Sequence, residues 1–229
     1  MMSSNKKIFI TGATHGIGKA TTELFCKNNW LVYGVSSNIA DTRAKELMFK
    51  YPNFIHQTID ITNEENIAKF LQENGPFDVA FNNAGIGIAP QEIEDADILK
   101  AQRVIDVNLI GTMICLKHEL RNMLKGVIIN NSSISALEAK TGADISYSAS
   151  KAGILRLTAE LASTPKYKNK IAFFNLIPGY IKTRMTATDN IPSEKLSLPE
   201  DVAQLVYDIS TNYYTYDSGQ SFNYIKEGF

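Results

Sequence analysis

The chain has 229 residues, with 23 Lys plus Arg against 24 Asp plus Glu, and a formal charge of -1. That length suits one large domain or two small ones, and 44% hydrophobic with 21% charged residues is enough apolar material for a sizeable core, which excludes global disorder. The neutral balance excludes a general attraction to nucleic acid, while two cysteines, Cys26 and Cys115, exclude a disulfide framework and no His or Cys cluster has metal-ligand spacing.

In chain order, Met1 to Lys7 precedes only three apolar residues, too few for a signal peptide's apolar stretch of about 7–15. No later run approaches the roughly 18 residues of a membrane span. The expectation is a soluble, cytoplasmic protein with buried, reduced cysteines. A strand is expected at Lys7–Ile10 and a helix at Gly16–Asn28, then a strand at Trp30–Val35 and a helix at Thr42–Lys50. Strands at Asn53–Gln57 and Val79–Phe81 flank a helix at Glu64–Asn74. A long helix at Ala96–Leu124 leads to a strand at Gly126–Asn130, a helix at Ser146–Ala162 and a strand at Ile171–Ile177. A helix at Pro199–Ile209 and a strand at Ser221–Asn223 complete the series. Ile8-Phe9-Ile10 and Val127-Ile128-Ile129 are apolar at consecutive positions, as in strands buried on both faces of a parallel sheet. The alternation therefore predicts an α/β chain, with no linker or repeat to mark a domain seam.

After the first strand comes Thr11-Gly12-Ala13-Thr14-His15-Gly16-Ile17-Gly18, running into a helix. Glycines allow a sharp turn and close approach of backbone to ligand, and a helix N-terminus offers N–H groups to a pyrophosphate. A packing turn is the bland alternative; the strand–turn–helix context favours a dinucleotide. A P-loop fails at both ends, with Ala13 at its first glycine and Ala20 at its Ser/Thr.

Tyr147 and Lys151 are four residues apart, on one face of a predicted helix. A phenol of pKa near 10 is a poor acid–base group at neutral pH unless its anion is stabilised, and a neighbouring ammonium does that. Ser148-x-x-Lys151 lacks the companion motifs of penicillin-binding enzymes, and no Gly-x-Ser-x-Gly elbow is present. His15, His56 and His118 read as structural or exposed rather than as members of a Ser-His-Asp triad, although His15 is placed to add a basic group to the glycine turn.

Taken together, the glycine turn, the strand order and Tyr-x3-Lys resemble the short-chain dehydrogenase/reductase family over nearly the whole chain. The resemblance implies a single Rossmann-fold domain spanning residues 1–229, with a doubly wound parallel sheet of about seven strands and helices on both faces. It implies cofactor contacts at Gly12, Thr14, His15, Gly16, Ile17 and Gly18. Asp60, beside Ile61, resembles the acid that faces the adenine. Asn82-Asn83-Ala84-Gly85 is similar to the family's Asn-Asn-Ala-Gly, and Pro178-Gly179, with Ile181 and Thr183, resembles the segment along the nicotinamide. Asn108, Ser133, Tyr147 and Lys151 match the catalytic four. By this resemblance Tyr147 is the general acid/base, Lys151 lowers its pKa and binds the nicotinamide ribose, Ser133 holds the substrate oxygen, and Asn108 holds a relay water.

The end of the second strand reads Ser36-Ser37-Asn38, with no acid to accept ribose hydroxyls, so NADP(H) is expected over NAD(H), although the arginine common in NADP users is absent. The implied partner is a small carbonyl or alcohol substrate, without nucleic acid, membrane or metal. Tyr180, Met185 and Ile191 are candidate apolar walls of an open pocket. Apolar Ile154, Leu155, Leu157 and Leu161 exceed one sheet-facing stripe and suit a homodimer or homotetramer. The competing readings are a catalytically silent dinucleotide sensor or scaffold, and a dehydratase or epimerase on the same fold.

Overall fold

A strand whose successive side chains point to opposite faces, yet are all apolar, must be covered on both. The computed structural model, which describes residues 6–37, 42–89, 91–139, 144–186 and 191–225, satisfies that demand. Ile8 and Ile10 enter one core cluster and Phe9 the other; Val127 and Ile129 divide from Ile128 in the same way. The strands are β1 (Lys7–Thr11), β2 (Leu31–Ser36), β3 (Phe54–Thr58), β4 (Val79–Asn82), β5 (Gly126–Asn131), β6 (Ile171–Pro178) and β7 (Ser221–Tyr224). They form one seven-stranded sheet in the order β3-β2-β1-β4-β5-β6-β7. Every pairing is parallel. Strand order reverses between β1 and β4, so a crevice opens at their carboxyl ends.

Helices α1 (Gly16–Lys27) and α2 (Arg43–Lys50) cover one face, joined by α7 (Pro199–Asn212), through Phe25, Leu47, Val202 and Val206. On the other face α3 (Glu64–Asn74) packs through Ile67, Phe70 and Leu71. The helix expected at Ala96–Leu124 starts later and is interrupted. It runs as α4 (Ile98–Ile105), a π-helical segment at Asp106–Gly111, and α5 (Thr112–Asn122). Asp97 sets its start by accepting the Lys100 N–H. The last helix of this face, α6 (Ile145–Ser163), begins one residue earlier than expected because Asp144 caps it. Ile154 of α6 is buried, whereas Leu155, Leu157 and Leu161 remain partly exposed. Among the described residues, no helix is long and apolar enough to cross a membrane.

Both cysteines are buried, and burial holds their thiols in the protonated form: Cys26 is pushed up to about 12, with Glu23 adding to the effect, and Cys115 well above its usual range. A buried polar rung crosses the sheet beneath the crevice. Asn82 Nδ2 donates to Asn130 Oδ1 at 3.0 Å and to Glu119 Oε2 at 3.1 Å. Asn130 Nδ2 donates to Thr158 Oγ1 at 2.9 Å. Burial raises the Glu119 carboxyl to about 8 against the opposing Asn82 hydrogen bond, so the folded protein carries it protonated at neutral pH. An unfolded Glu titrates near 4.3, so this stabilisation is complete below that pH and is lost as pH climbs to about 8, at a slope of at most about 1.4 kcal/mol per unit. Urea unfolding of Glu119→Gln should lack that slope between pH 5 and 8; wild-type and variant curves running parallel would refute it.

Candidate active site

The glycine turn adopts the conformations that its composition allows. Gly12 and Gly16 have φ of +67° and +48°. A Cβ on Gly18 would lie 2.2 Å from the Gly12 carbonyl oxygen and 2.6 Å from Asn83 Nδ2, so only hydrogen fits there. The turn is fastened to β4 by Thr11, whose Oγ1 accepts both the Asn83 and the Ala84 N–H at 2.9 Å. Asn83 Nδ2 donates to the Thr11 carbonyl at 3.1 Å, and Asn131 Nδ2 donates to Asn83 Oδ1 at 3.0 Å. Three strand ends are thus tied across the switch point.

The turn could hold the pyrophosphate of a dinucleotide. Whereas α3, α4 and α6 have Asx caps, α1 has no side-chain cap and no acidic residue in its first turn. That leaves the positive end of its dipole facing the crevice without a competing anion from the helix itself. Thr14 Oγ1 lies 2.9 Å from His15 Nδ1. Thr183 closes the cradle from the segment after β6: a Cβ on Gly16 would meet its Cγ2 at 3.0 Å. Pro178 ends β6, and the Gly179 N–H donates to the Tyr224 carbonyl.

Ser36 lies at the carboxyl end of β2 with Ser37 exposed beside it; Asn38 lies outside the described residues. Ser36 Oγ is 2.8 Å from His56 Nε2, a residue brought alongside from β3. The expected reading of His56 as merely structural or exposed misses this placement. Asp60 is also more engaged than its motif suggests. Its Oδ1 accepts the Thr62 N–H and hydroxyl, and its Oδ2 accepts from Arg103 of α4. Burial works to raise this carboxyl, but the bonds from Thr62 and Arg103 outweigh it and hold it below the usual range. Ile61 and Ile181 have buried side chains in the two core clusters, and Ile17 packs against one of them, so these side chains serve packing.

Ser133, Tyr147 and Lys151 come together where β5 and α6 meet. Lys151 is buried, with Nζ 2.7 Å from the Asn131 carbonyl and 5.5 Å from the Tyr147 ring centroid. Burial alone lowers its pKa to about 8. The Tyr147 phenol is displaced upward, chiefly by burial; a hydrogen bond with Ser133 opposes that shift and the Asp144 carboxylate adds to it. Gly85 sits between two of the candidate groups: a Cβ there would lie 3.3 Å from Asn108 Oδ1 and 3.4 Å from Lys151 Nζ. Asn108 sits in the π-helical segment, a kind of irregularity that often marks functional sites. Its Oδ1 accepts the Ile86 N–H at 2.8 Å, while its Nδ2 donates to the Ile86 carbonyl at 2.9 Å and to Ser150 Oγ at 3.0 Å. Its side chain thus holds the loop after Gly85. The supporting groups that the motifs do not reveal are the Asn131 carbonyl, Ser150, His56 and Asp144. Of these only Asp144 carries a readable signal, as an Asp just before a helix. Among the described residues no group of His, Cys, Asp and Glu could hold a metal ion.

Residues 6–193 match the family model described as short chain dehydrogenase. The cis-4-hydroxycyclohexanecarboxylate dehydrogenase of Sinomonas cyclohexanicum is 32% identical over 215 residues, covering 86% of each chain. The 3-oxoacyl-[acyl-carrier-protein] reductase FabG of Aquifex aeolicus is 30% identical over 94% of each. Among solved structures, ElxO with NADP bound superposes with a TM-score of 0.83 at 26% identity, covering 96% of this chain and 97% of that one.

Proposed function

The chain belongs to the short-chain dehydrogenase family, an oxidoreductase family, and from that premise we propose that it interconverts a carbonyl and a secondary alcohol with NADP(H). The observation that carries this reading is the meeting of Ser133, Tyr147 and Lys151 at the carboxyl ends of the strands, beside the glycine turn and the uncapped start of α1. A bound nicotinamide supplies or accepts the hydride. Tyr147 gives its proton to the carbonyl oxygen in reduction and withdraws one from the alcohol in oxidation. Ser133 holds that oxygen and stabilises charge developing on it. Lys151, fixed by the Asn131 carbonyl, would hold the nicotinamide ribose of a bound cofactor and lend positive charge beside the phenolate. The names of the two relatives, one a dehydrogenase of a hydroxy acid and the other a reductase of a 3-oxoacyl group, agree with alcohol–ketone chemistry. A panel of ketones assayed with NADPH tests it: no turnover of any member, together with tight cofactor binding, would favour a silent sensor instead.

The preference for NADP(H) rests on the end of β2, where Ser36 stands beside His56 and no carboxylate is present in Ser36-Ser37. Hydroxyl and imidazole groups can donate to a 2′-phosphate, and a carboxylate there would repel it. Ser36→Asp should therefore weaken NADPH binding by about tenfold, equivalent to about 1.4 kcal/mol, while NADH binding holds or improves. Fluorescence titration of both cofactors measures this directly. A wild type that binds NADH more tightly, or a variant with an unchanged ratio, would refute the preference.

A further inference from the structure

We infer that Asp144 is a positioning residue for the proposed reaction: its carboxylate locks the start of α6, and with it Tyr147, to the loop after β4. The proposal rests on the reading of Tyr147 as the acid/base and goes beyond it. Asp144 Oδ1 accepts the Tyr147 N–H at 3.1 Å and the Ser146 hydroxyl. Its Oδ2 reaches away from the helix to the Ile88 N–H at 2.8 Å. The intervening Gly87 lies close to both partners: a Cβ there would be 3.6 Å from Asp144 Oδ2 and 3.7 Å from Tyr147 Cδ2. Two residues earlier in the chain, Ile86 is held by Asn108. Residues 86–88 are therefore pinned at alternate N–H groups by two side chains from two helices. One of those pins also caps the helix that presents the phenol. Loop and phenol form one mechanical unit, and a carboxylate is its joint.

An amide would make a comparable helix cap, so the need for an acid is not explained by capping alone. An amide Nδ2 cannot accept the Ile88 N–H, whereas the second carboxylate oxygen can. Among the described residues, the Lys151 ammonium lies one turn along the same helix, 5.5 Å from the Tyr147 ring centroid, and the Asp144 carboxylate at the helix start works to raise the phenol's pKa. The turn after β5 contributes the Ser133 hydroxyl, the loop after β4 contributes Gly87, and the π-helical segment contributes the uncharged Asn108. Asp144 thus adds to the effect of burial on this phenol. It biases the phenol toward the proton-bearing form, which is the form that carbonyl reduction consumes.

The test needs no knowledge of the substrate. Phenolate absorbance of the full chain, with and without NADP⁺ and with that of Tyr147→Phe subtracted, gives the midpoint of this phenol. Asp144→Asn keeps a cap and removes the charge, so its midpoint should fall by about half a pH unit, and Asp144→Glu, which keeps the charge, should fall by less. Hydrogen exchange at residues 86–88 should speed up by about fivefold or more in Asp144→Asn. A midpoint unchanged in Asp144→Asn overturns the electrostatic half, and unchanged exchange overturns the lock. Undiminished ketone turnover by Tyr147→Phe would instead overturn the underlying catalytic reading. It would leave both measurements on Asp144 interpretable.

Discussion

Tyr147→Phe is expected to reduce ketone turnover by about 10³-fold while changing the NADPH dissociation constant by less than about twofold. Phenylalanine keeps the ring against Gly87 and over Lys151 and deletes only the hydroxyl that meets Ser133. Proton delivery to the substrate oxygen then falls to water or to Ser133. The proposed cofactor cradle, at β1, α1 and Thr183, is untouched by the change. Steady-state kinetics beside fluorescence titration separate the two effects. A variant retaining more than a tenth of wild-type turnover would remove Tyr147 from the chemistry.

Gly18→Ala should have the largest effect on the architecture of the site. Its methyl group would sit 2.2 Å from the Gly12 carbonyl oxygen, a backbone atom that cannot rotate away, and 2.6 Å from Asn83 Nδ2. Relief requires moving the turn off β4, which breaks the Asn83 bond to Thr11 and displaces the N–H groups of α1. Overpacking of this kind costs about 1–3 kcal/mol, or a melting temperature lower by roughly 5 °C in a chain of this size. NADPH affinity should fall by more than about 100-fold, because the pyrophosphate depends on the displaced groups. Gly87→Ala is the internal control, since its nearest neighbour stands 3.6 Å away. If calorimetry and titration find Gly18→Ala no worse than Gly87→Ala, the close-approach account of the turn is wrong.

These two residues also mark what can and cannot be read from sequence. Gly18 and Tyr147 belong to short local motifs whose spacing states a geometry. The strands were equally legible, because Ile8-Phe9-Ile10 and Val127-Ile128-Ile129 require cover on both faces whatever the rest of the chain does. The break inside residues 96–124 was not. The π-helical turn carries Asn108, whose side chain meets Ile86, and a contact between segments 22 residues apart leaves no trace in helical periodicity. His56 is similar: only the register of β3 against β2 brings it to Ser36. For Asp60 the motif marks the acid but not the Arg103 that holds it, which comes from a helix 43 residues later. The Asn131 carbonyl that fixes Lys151 is a backbone atom, and any residue at that position would provide one. Asp144 is the case where a signal existed, hidden by a helix start placed one residue too late.

The fastening of the glycine turn by Thr11 bears on how the protein is made. The two N–H groups that this hydroxyl accepts belong to Asn83 and Ala84, 72 and 73 residues further along the chain. β1 can pair with β2 as soon as Ser36 has left the ribosome, yet the turn that ends β1 lacks its fastening until β4 has been synthesised and inserted on the other side. The nucleotide cradle is therefore not a property of the segment that carries its glycines. During synthesis that segment lacks these two bonds until Asn83 and Ala84, more than a third of the way along the 229 residues, have emerged, and long-range pairing of this kind is intrinsically slow in parallel sheets.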